Sequence, residues 1–200
     1  AKEFMKVLEQ YPDGTLFVDL FGGSGLLSHI TKSLKPHSTV IYNDFDNYRF
    51  RMKHIPQTNQ LLADIREMVG NSVPRHKIIK GELRERIFSR IEQEENSTGY
   101  VDFITLSSSI LFSMKYKLSV QDMRKEALYN NIRKTGYPEC TDYLEGLEIV
   151  SCDYKEVFNR YKDIPGVVFL VDPPYLSTDV GTYNMYWNMA DYLDVLNVLK

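Results

Sequence analysis

Cysteine is scarce in this sequence: Cys140 and Cys152 are the two among 200 residues. That number and spacing exclude a disulfide framework and a zinc knuckle, and both thiols are expected to be partly buried and chemically quiet. Long apolar runs are missing too. No stretch reaches the ~18 residues that span a bilayer, and Ala1-Lys2-Glu3-Phe4 lacks the basic-then-apolar pattern of a secretory signal. The expectation is a soluble, cytoplasmic protein with no membrane partner. Internal repeats and low-complexity segments are absent as well, which excludes a solenoid.

Positive charge is not in excess, since the net charge is −3. By itself that argues against a polyanionic partner, yet the distribution is uneven. Residues 75–134 hold 12 Lys and Arg against 8 Asp and Glu, while the rest of the chain holds 12 against 19. The basic excess is therefore concentrated in the middle of the chain, and the remainder is acidic. With 43% hydrophobic residues the chain is able to bury one substantial core, with room for an inserted subdomain.

Leu16 to Leu20 read as a short buried strand, stopped by Gly22-Gly23-Ser24-Gly25, after which Leu26, Leu27, Ile30 and Leu34 recur at helical spacing. Pro36 ends that helix, and Thr39-Val40-Ile41-Tyr42 is a second strand running into Asn43-Asp44. The spacing is that of a βαβ unit over residues 15–44. An amphipathic helix is expected from Gln57 to Val69, closed by Gly70. Ile78, Ile79, Leu83, Ile87, Phe88 and Ile91 then mark one long helix, Val101 to Phe112 a second apolar element, and Ser119 with Asp122 the start of a third. Strands return at Leu147 to Val150 and Val167 to Val171, on either side of a helix near Tyr154 to Tyr161.

The glycine turn leaves room for a ligand because it lacks Cβ atoms, and it opens a helix N-terminus. As a dinucleotide fingerprint it is imperfect, since Ser28 stands where a third small packing residue is expected. Asp44, at the end of the second strand, is placed to accept both hydroxyl hydrogens of a ribose, or else to cap the helix that follows. The most informative run is Val171-Asp172-Pro173-Pro174-Tyr175, at the exit of an apolar strand. Two prolines stiffen the backbone there, holding the Asp172 carboxylate and the Pro173 carbonyl as fixed acceptors. Such a pair suits methylation of an aryl amine: accepting both N–H hydrogens localises the nitrogen lone pair for attack on a sulfonium methyl. Tyr175 offers a stacking face for a planar base.

These runs together resemble the D12 class of adenine-N6 DNA methyltransferases. Phe21-Gly22-Gly23-Ser24-Gly25 is similar to that family's cofactor turn, with Asp19 where its members usually carry Glu. Asn43-Asp44-Phe45-Asp46 resembles the ribose-binding strand end, and Cys152-Asp153-Tyr154 the step whose aspartate contacts the cofactor's adenine. Asp172, Pro173, Pro174 and Tyr175 match the catalytic motif in full. The resemblance implies a Rossmann-like, S-adenosylmethionine-dependent α/β fold with a mainly helical insertion. Residues 1–70 and 145–200 would form the catalytic core and 71–144 the insertion. It implies S-adenosylmethionine as cofactor, double-stranded DNA as partner, no metal, and direct methyl transfer to adenine N6 of a flipped base. Cofactor-binding residues would be Asp19, Phe21, Gly22, Gly23, Ser24, Gly25, Asp44 and Asp153. Arg75, Lys77, Lys80, Arg84, Arg86 and Arg90 become candidate phosphate contacts, and Tyr183, Tyr186 and Trp187 candidate walls for the flipped base.

The family's upstream Gly-Gly-Lys motif, the strands after its catalytic motif and an Asn-Gly step in the insertion have no counterpart here. The core is therefore expected to be incomplete at both ends. A cytosine-C5 methyltransferase needs a nucleophilic cysteine, normally after proline, but Cys140 follows Glu139 and Cys152 follows Ser151. Hydride chemistry on the same βαβ unit would not call for Asp172 to Tyr175. Three alternatives stay open: an amino methyltransferase acting on RNA, one acting on protein glutamine, and a non-catalytic DNA-binding module. Target sequence, a role in restriction-modification and oligomeric state are not encoded in any motif.

Overall fold

The computed structural model describes residues 2–112, 115–174 and 189–198. The chain begins with α1 (Lys2–Glu9), β1 (Phe17–Asp19), α2 (Leu26–Leu34), β2 (Val40–Asn43) and α3 (Tyr48–Lys53). It continues with α4 (Ile55–Val69), β3 (Ile78–Ile79), α5 (Gly81–Thr98), α6 (Phe103–Ile110), α7 (Val120–Met123) and β4 (Leu128–Tyr129). It closes with β5 (Glu148–Val150), α8 (Tyr154–Tyr161), β6 (Val168–Leu170) and α9 (Met189–Val198). Two compact units result, one from residues 1–50 with 140–200 and one from residues 51–139.

The first unit is built on a parallel sheet in the order β5-β2-β1-β6. Every residue of β1 and β2 is buried, as central strands covered on both faces require. On one face Val18, Leu20 and Ile41 pack with Tyr154 and Val157 of α8 and Val195 of α9. On the other, Phe17, Val40 and Leu170 pack with Leu8 of α1 and with Leu27 and Ile30 of α2. β1 lies between β2 and β6, so the segments leaving these three strands meet at one carboxyl edge, where ligands bind in open parallel sheets.

Asn43, buried at the last position of β2, ties that edge together. Its amide nitrogen donates to the Leu20 carbonyl at 3.0 Å and the Cys152 carbonyl at 2.9 Å, and its oxygen accepts from the Cys152 N–H at 3.1 Å. One side chain thus fixes the segments leaving β1 and β5 relative to β2.

The second unit has its own core, in which Leu61, Leu62 and Ile65 of α4 meet Ile87, Phe88 and Ile91 of α5 and Leu106 and Ile110 of α6. Because α4 places its apolar stripe there, the division between units falls at Phe50/Arg51 and Glu139/Cys140, away from the expected limits at residues 70 and 145. The long helix expected from Ile78 begins instead at Gly81. Ile78 and Ile79 form a strand paired antiparallel with Leu128 and Tyr129, with Ile79 buried and Ile78 exposed. Lys80 is extended and Gly81 has φ +62°, which breaks helical continuity after two β-branched residues that favour a strand.

Of the six basic side chains expected at phosphates, three make hydrogen bonds or ion pairs within the unit, Arg75 while remaining exposed. Arg75 donates to the Ile132 carbonyl at 2.8 Å and Arg84 to the Arg124 carbonyl at 2.6 Å. Arg90 pairs with Asp64 and Glu94, both at 2.8 Å. Lys77, Lys80 and Arg86 are exposed.

Replacing Asn43 with Ala removes three hydrogen bonds at the carboxyl edge, and should cost about 2–4 kcal/mol. Urea unfolding checks this: the midpoint should fall with the slope unchanged.

Candidate active site

The turn leaving β1 is shaped by what lies beneath it. A Cβ on Gly22 would sit 2.3 Å from the Tyr42 ring and 2.7 Å from the Asn43 carbonyl oxygen, so only glycine lets the backbone rest there. The Tyr42 hydroxyl donates to the Gly23 carbonyl at 2.8 Å, locking the turn from below. Gly25 takes the left-handed conformation, φ +77°, at the N-cap of α2, and no side chain caps that helix. The first turn of α2 therefore opens at this edge of the sheet without a side-chain cap from its N-cap residue.

Above the carboxyl edge lies a cavity of about 290 Å³, close to the lower end of the range of roughly 300–1,000 Å³ seen for small-ligand sites. Leu20, Phe21, Gly22, Gly23 and Ser24 line it from the β1 exit, and Leu26 and Leu27 from α2. Asn43, Phe45 and Asp46 contribute from the β2 exit, Tyr154 from α8, and Asp172, Pro173 and Pro174 from the β6 exit. Sequence positions separated by about 150 residues are thus brought to one opening, between the turn at Gly22 and the stiffened run at Asp172. The Phe21 and Tyr154 rings are 4.9 Å apart, forming an aromatic wall.

Other expected site residues lie elsewhere. Gly25 supports the turn without lining the cavity. The Asp44 carboxylate is buried and accepts from the Tyr48 N–H and the Arg49 N–H at 3.1 Å, with the Tyr42 hydroxyl 3.1 Å away. It serves the start of α3, the helix-capping alternative open at that position, and the cavity receives Asp46 two residues on. Asp153 caps α8 by accepting from the Lys155 N–H at 2.8 Å, and its neighbour Tyr154 reaches the cavity. Tyr175, Tyr183, Tyr186 and Trp187 lie outside the described residues. Asn43, Phe45, Asp46 and Tyr154 were not singled out as site residues from the sequence. A polar Asn at the end of an apolar strand was a usable signal for the first of them.

Asp19 lies beneath the cavity, fully buried. Its Oδ2 accepts from the Ser28 hydroxyl at 2.7 Å, while the equally buried Oδ1 has no hydrogen-bond partner. Burial pushes its carboxyl up to about 6; the Ser28 hydroxyl and the Phe21 and Ser28 backbone N–H groups offset part of this, and the nearby Asp172 carboxylate adds to it. The cavity therefore carries Asp46 and Asp172 on its walls and Asp19 below, with no Lys, Arg or His among its described lining residues. Such a site favours a cationic ligand that brings N–H or O–H donors. Among the described residues, no cluster of His, Cys, Asp and Glu is arranged to hold a metal ion.

Gly22→Ala tests how tightly the turn is built: the Tyr42 ring must move, which should cost about 1–3 kcal/mol. A melting temperature lowered by several degrees is expected, with the helical circular dichroism retained.

The family model described as D12 class N6 adenine-specific DNA methyltransferase matches residues 1–195. A curated protein of Haemophilus influenzae, named "Putative methyltransferase", is 37% identical over 190 residues, covering 94% of this chain. The chain spans 63% of that relative's length. No solved structure matches significantly. A match over nearly the whole chain places it in the D12 class N6 adenine-specific DNA methyltransferase family.

Proposed function

We propose that the cavity binds S-adenosylmethionine and that the chain contributes the catalytic core of a cytoplasmic DNA adenine-N6 methyltransferase with a Rossmann-like fold. One observation carries this reading. The glycine turn after β1 and the Asp172-Pro173-Pro174 run after β6 wall the same cavity, so a cofactor-binding edge and a pair of amine acceptors share one opening. The chemistry of the residues fits the cofactor: an acidic cavity suits its sulfonium and ammonium charges, and aromatic and apolar walls suit its adenine.

Bound there, S-adenosylmethionine supplies an electrophilic methyl group. The protein's part is to prepare the acceptor nitrogen. Asp172, exposed at the cavity, and the Pro173 carbonyl accept the two N–H hydrogens of the adenine amine and draw its lone pair out of conjugation. Proline at 173 and 174 keeps both acceptors in place without reorganisation at the moment of transfer. A base inside a duplex is out of reach of such a recessed site, so it must be flipped out, with Tyr175 as its stacking partner. In the second unit, residues 51–139, the exposed Lys77, Lys80 and Arg86 are the phosphate contacts, and Arg75, Arg84 and Arg90 hold that unit together.

The direct assay is transfer of labelled methyl groups from S-adenosylmethionine to unmethylated duplex DNA, followed by nucleoside analysis. Label should appear in N6-methyladenine, and Asp172→Ala should lower the rate at least ~100-fold with cofactor affinity nearly unchanged. Label in RNA or in a glutamine side chain, with DNA unlabelled, would replace DNA as the substrate. A second pair of variants separates binding from architecture. Asp46→Ala should weaken S-adenosylmethionine binding, whereas Asp44→Ala should cost about 1–2 kcal/mol of stability through the lost cap. Calorimetric titration and thermal melting read the two effects.

A further inference from the structure

Asp19 is the one acidic side chain at the site that is wholly removed from water, and it sits on β1 directly beneath the glycine turn. From α2 the Ser28 hydroxyl faces it, and from the end of β6 the Asp172 carboxylate acts on it. From β2 the Tyr42 phenol is close enough to feel its charge, and that phenol is held neutral by burial and by Asp44. His29, next along α2, is turned away to the Tyr143 carbonyl, with its Nδ1 at 2.8 Å. Among the described residues no cation offsets Asp19 from these elements and its Oδ1 has no hydrogen-bond partner; the Ser28 hydroxyl and the Phe21 and Ser28 backbone N–H groups favour its ionised form, against burial and the like charge of Asp172.

We propose that Asp19 is a proton-linked counter-charge for the cofactor, neutral in the ligand-free protein at mildly acid pH and ionised once a cationic ligand fills the cavity above it. The inference rests on the S-adenosylmethionine reading of that cavity. On binding, the O–H bond of the Asp19 carboxyl breaks, the proton passes to solvent, and the negative charge left behind faces the ligand's positive groups. The Ser28 hydroxyl suits both states, because it can accept from the acid or donate to the carboxylate.

The sign follows from linkage. A carboxyl with its folded-state value raised to about 6 favours the folded, ligand-free protein fully below its ordinary value, and that contribution is lost as pH rises through about 6. A ligand that stabilises the ionised form therefore binds more tightly as pH rises towards 6, by up to about tenfold per unit. Above that window the dependence should flatten.

Isothermal titration of the whole chain with S-adenosylmethionine, in buffers of different ionisation enthalpy between pH 5 and 7, measures the proton directly. The ligand's amino group, with an ordinary value of about 7.7–8.0, stays largely protonated there. About half a proton should be released per ligand near pH 6, and less with S-adenosylhomocysteine, which lacks the sulfonium charge. Asp19→Asn should bind with no release and a flatter pH dependence. Ser28→Ala, which removes the hydrogen bond that favours ionisation, should move the release window to higher pH and serves if the first variant does not fold. Binding without release in the natural chain, or release that persists in Asp19→Asn, overturns the role of Asp19 and leaves the cofactor site standing. No binding of either ligand at any pH overturns the cofactor reading itself, and the inference with it.

Discussion

The amide of Asn43 is the constraint on which the cavity depends. A parallel sheet delivers every strand's carboxyl end to one edge, where the backbone bonds from Leu20 to Leu170 and from Asp44 to Val150 are the last to join the segments leaving β1 and β2 to their neighbours. Asn43 adds bonds from within, tying the exits of β1 and β5 to β2 through the Leu20 carbonyl and both backbone groups of Cys152. Tyr42, the residue before it, props the glycine turn with its ring and hydroxyl. Two consecutive side chains on opposite faces of one strand therefore position the floor of the cavity and its β1 wall. Hydrophobic burial around Phe17, Val18, Val40 and Ile41 makes the sheet, but it has no directional preference that would shape the opening.

Electrostatics then decide what the opening can hold. Asp46 and Asp172 stand on the walls and Asp19 is sealed beneath, a cluster of carboxylates without a described cation among the lining residues. In a purely structural site such an arrangement is unfavourable, because burial and like charge both oppose ionisation. A cationic ligand in place would offset that cost.

The second unit shows how a basic segment divides its charges. Arg84 and Arg124 both lie over the buried Phe88 ring, at 4.6 and 4.5 Å, and Arg90 bridges α4 and α5 through Asp64. These guanidiniums stabilise packing, as their planar, delocalised charge allows. Lysines 77 and 80 and Arg86, by contrast, keep their charge at the surface.

The sequence by itself determined the sheet strands, the glycine turn that opens α2 and the stiffened run after β6, because each follows from local rules of periodicity, missing Cβ atoms and fixed proline φ. It also carried the family, since several motifs in order are far more specific than any one. Tertiary structure decided the rest. Asp44 and Asp46 are both carboxylates and two residues apart; the first accepts from the N–H groups that start α3, and the second lines the cavity. Asp153 gives way to Tyr154 for the same reason, a helix start that needs a cap. Ile78 and Ile79 fit a helical stripe until Leu128 and Tyr129 arrive from 50 residues away to pair with them. The partial neutrality of Asp19 depends on burial beneath α2 and on the approach of Asp172 across the sheet, long-range facts that no window of sequence contains.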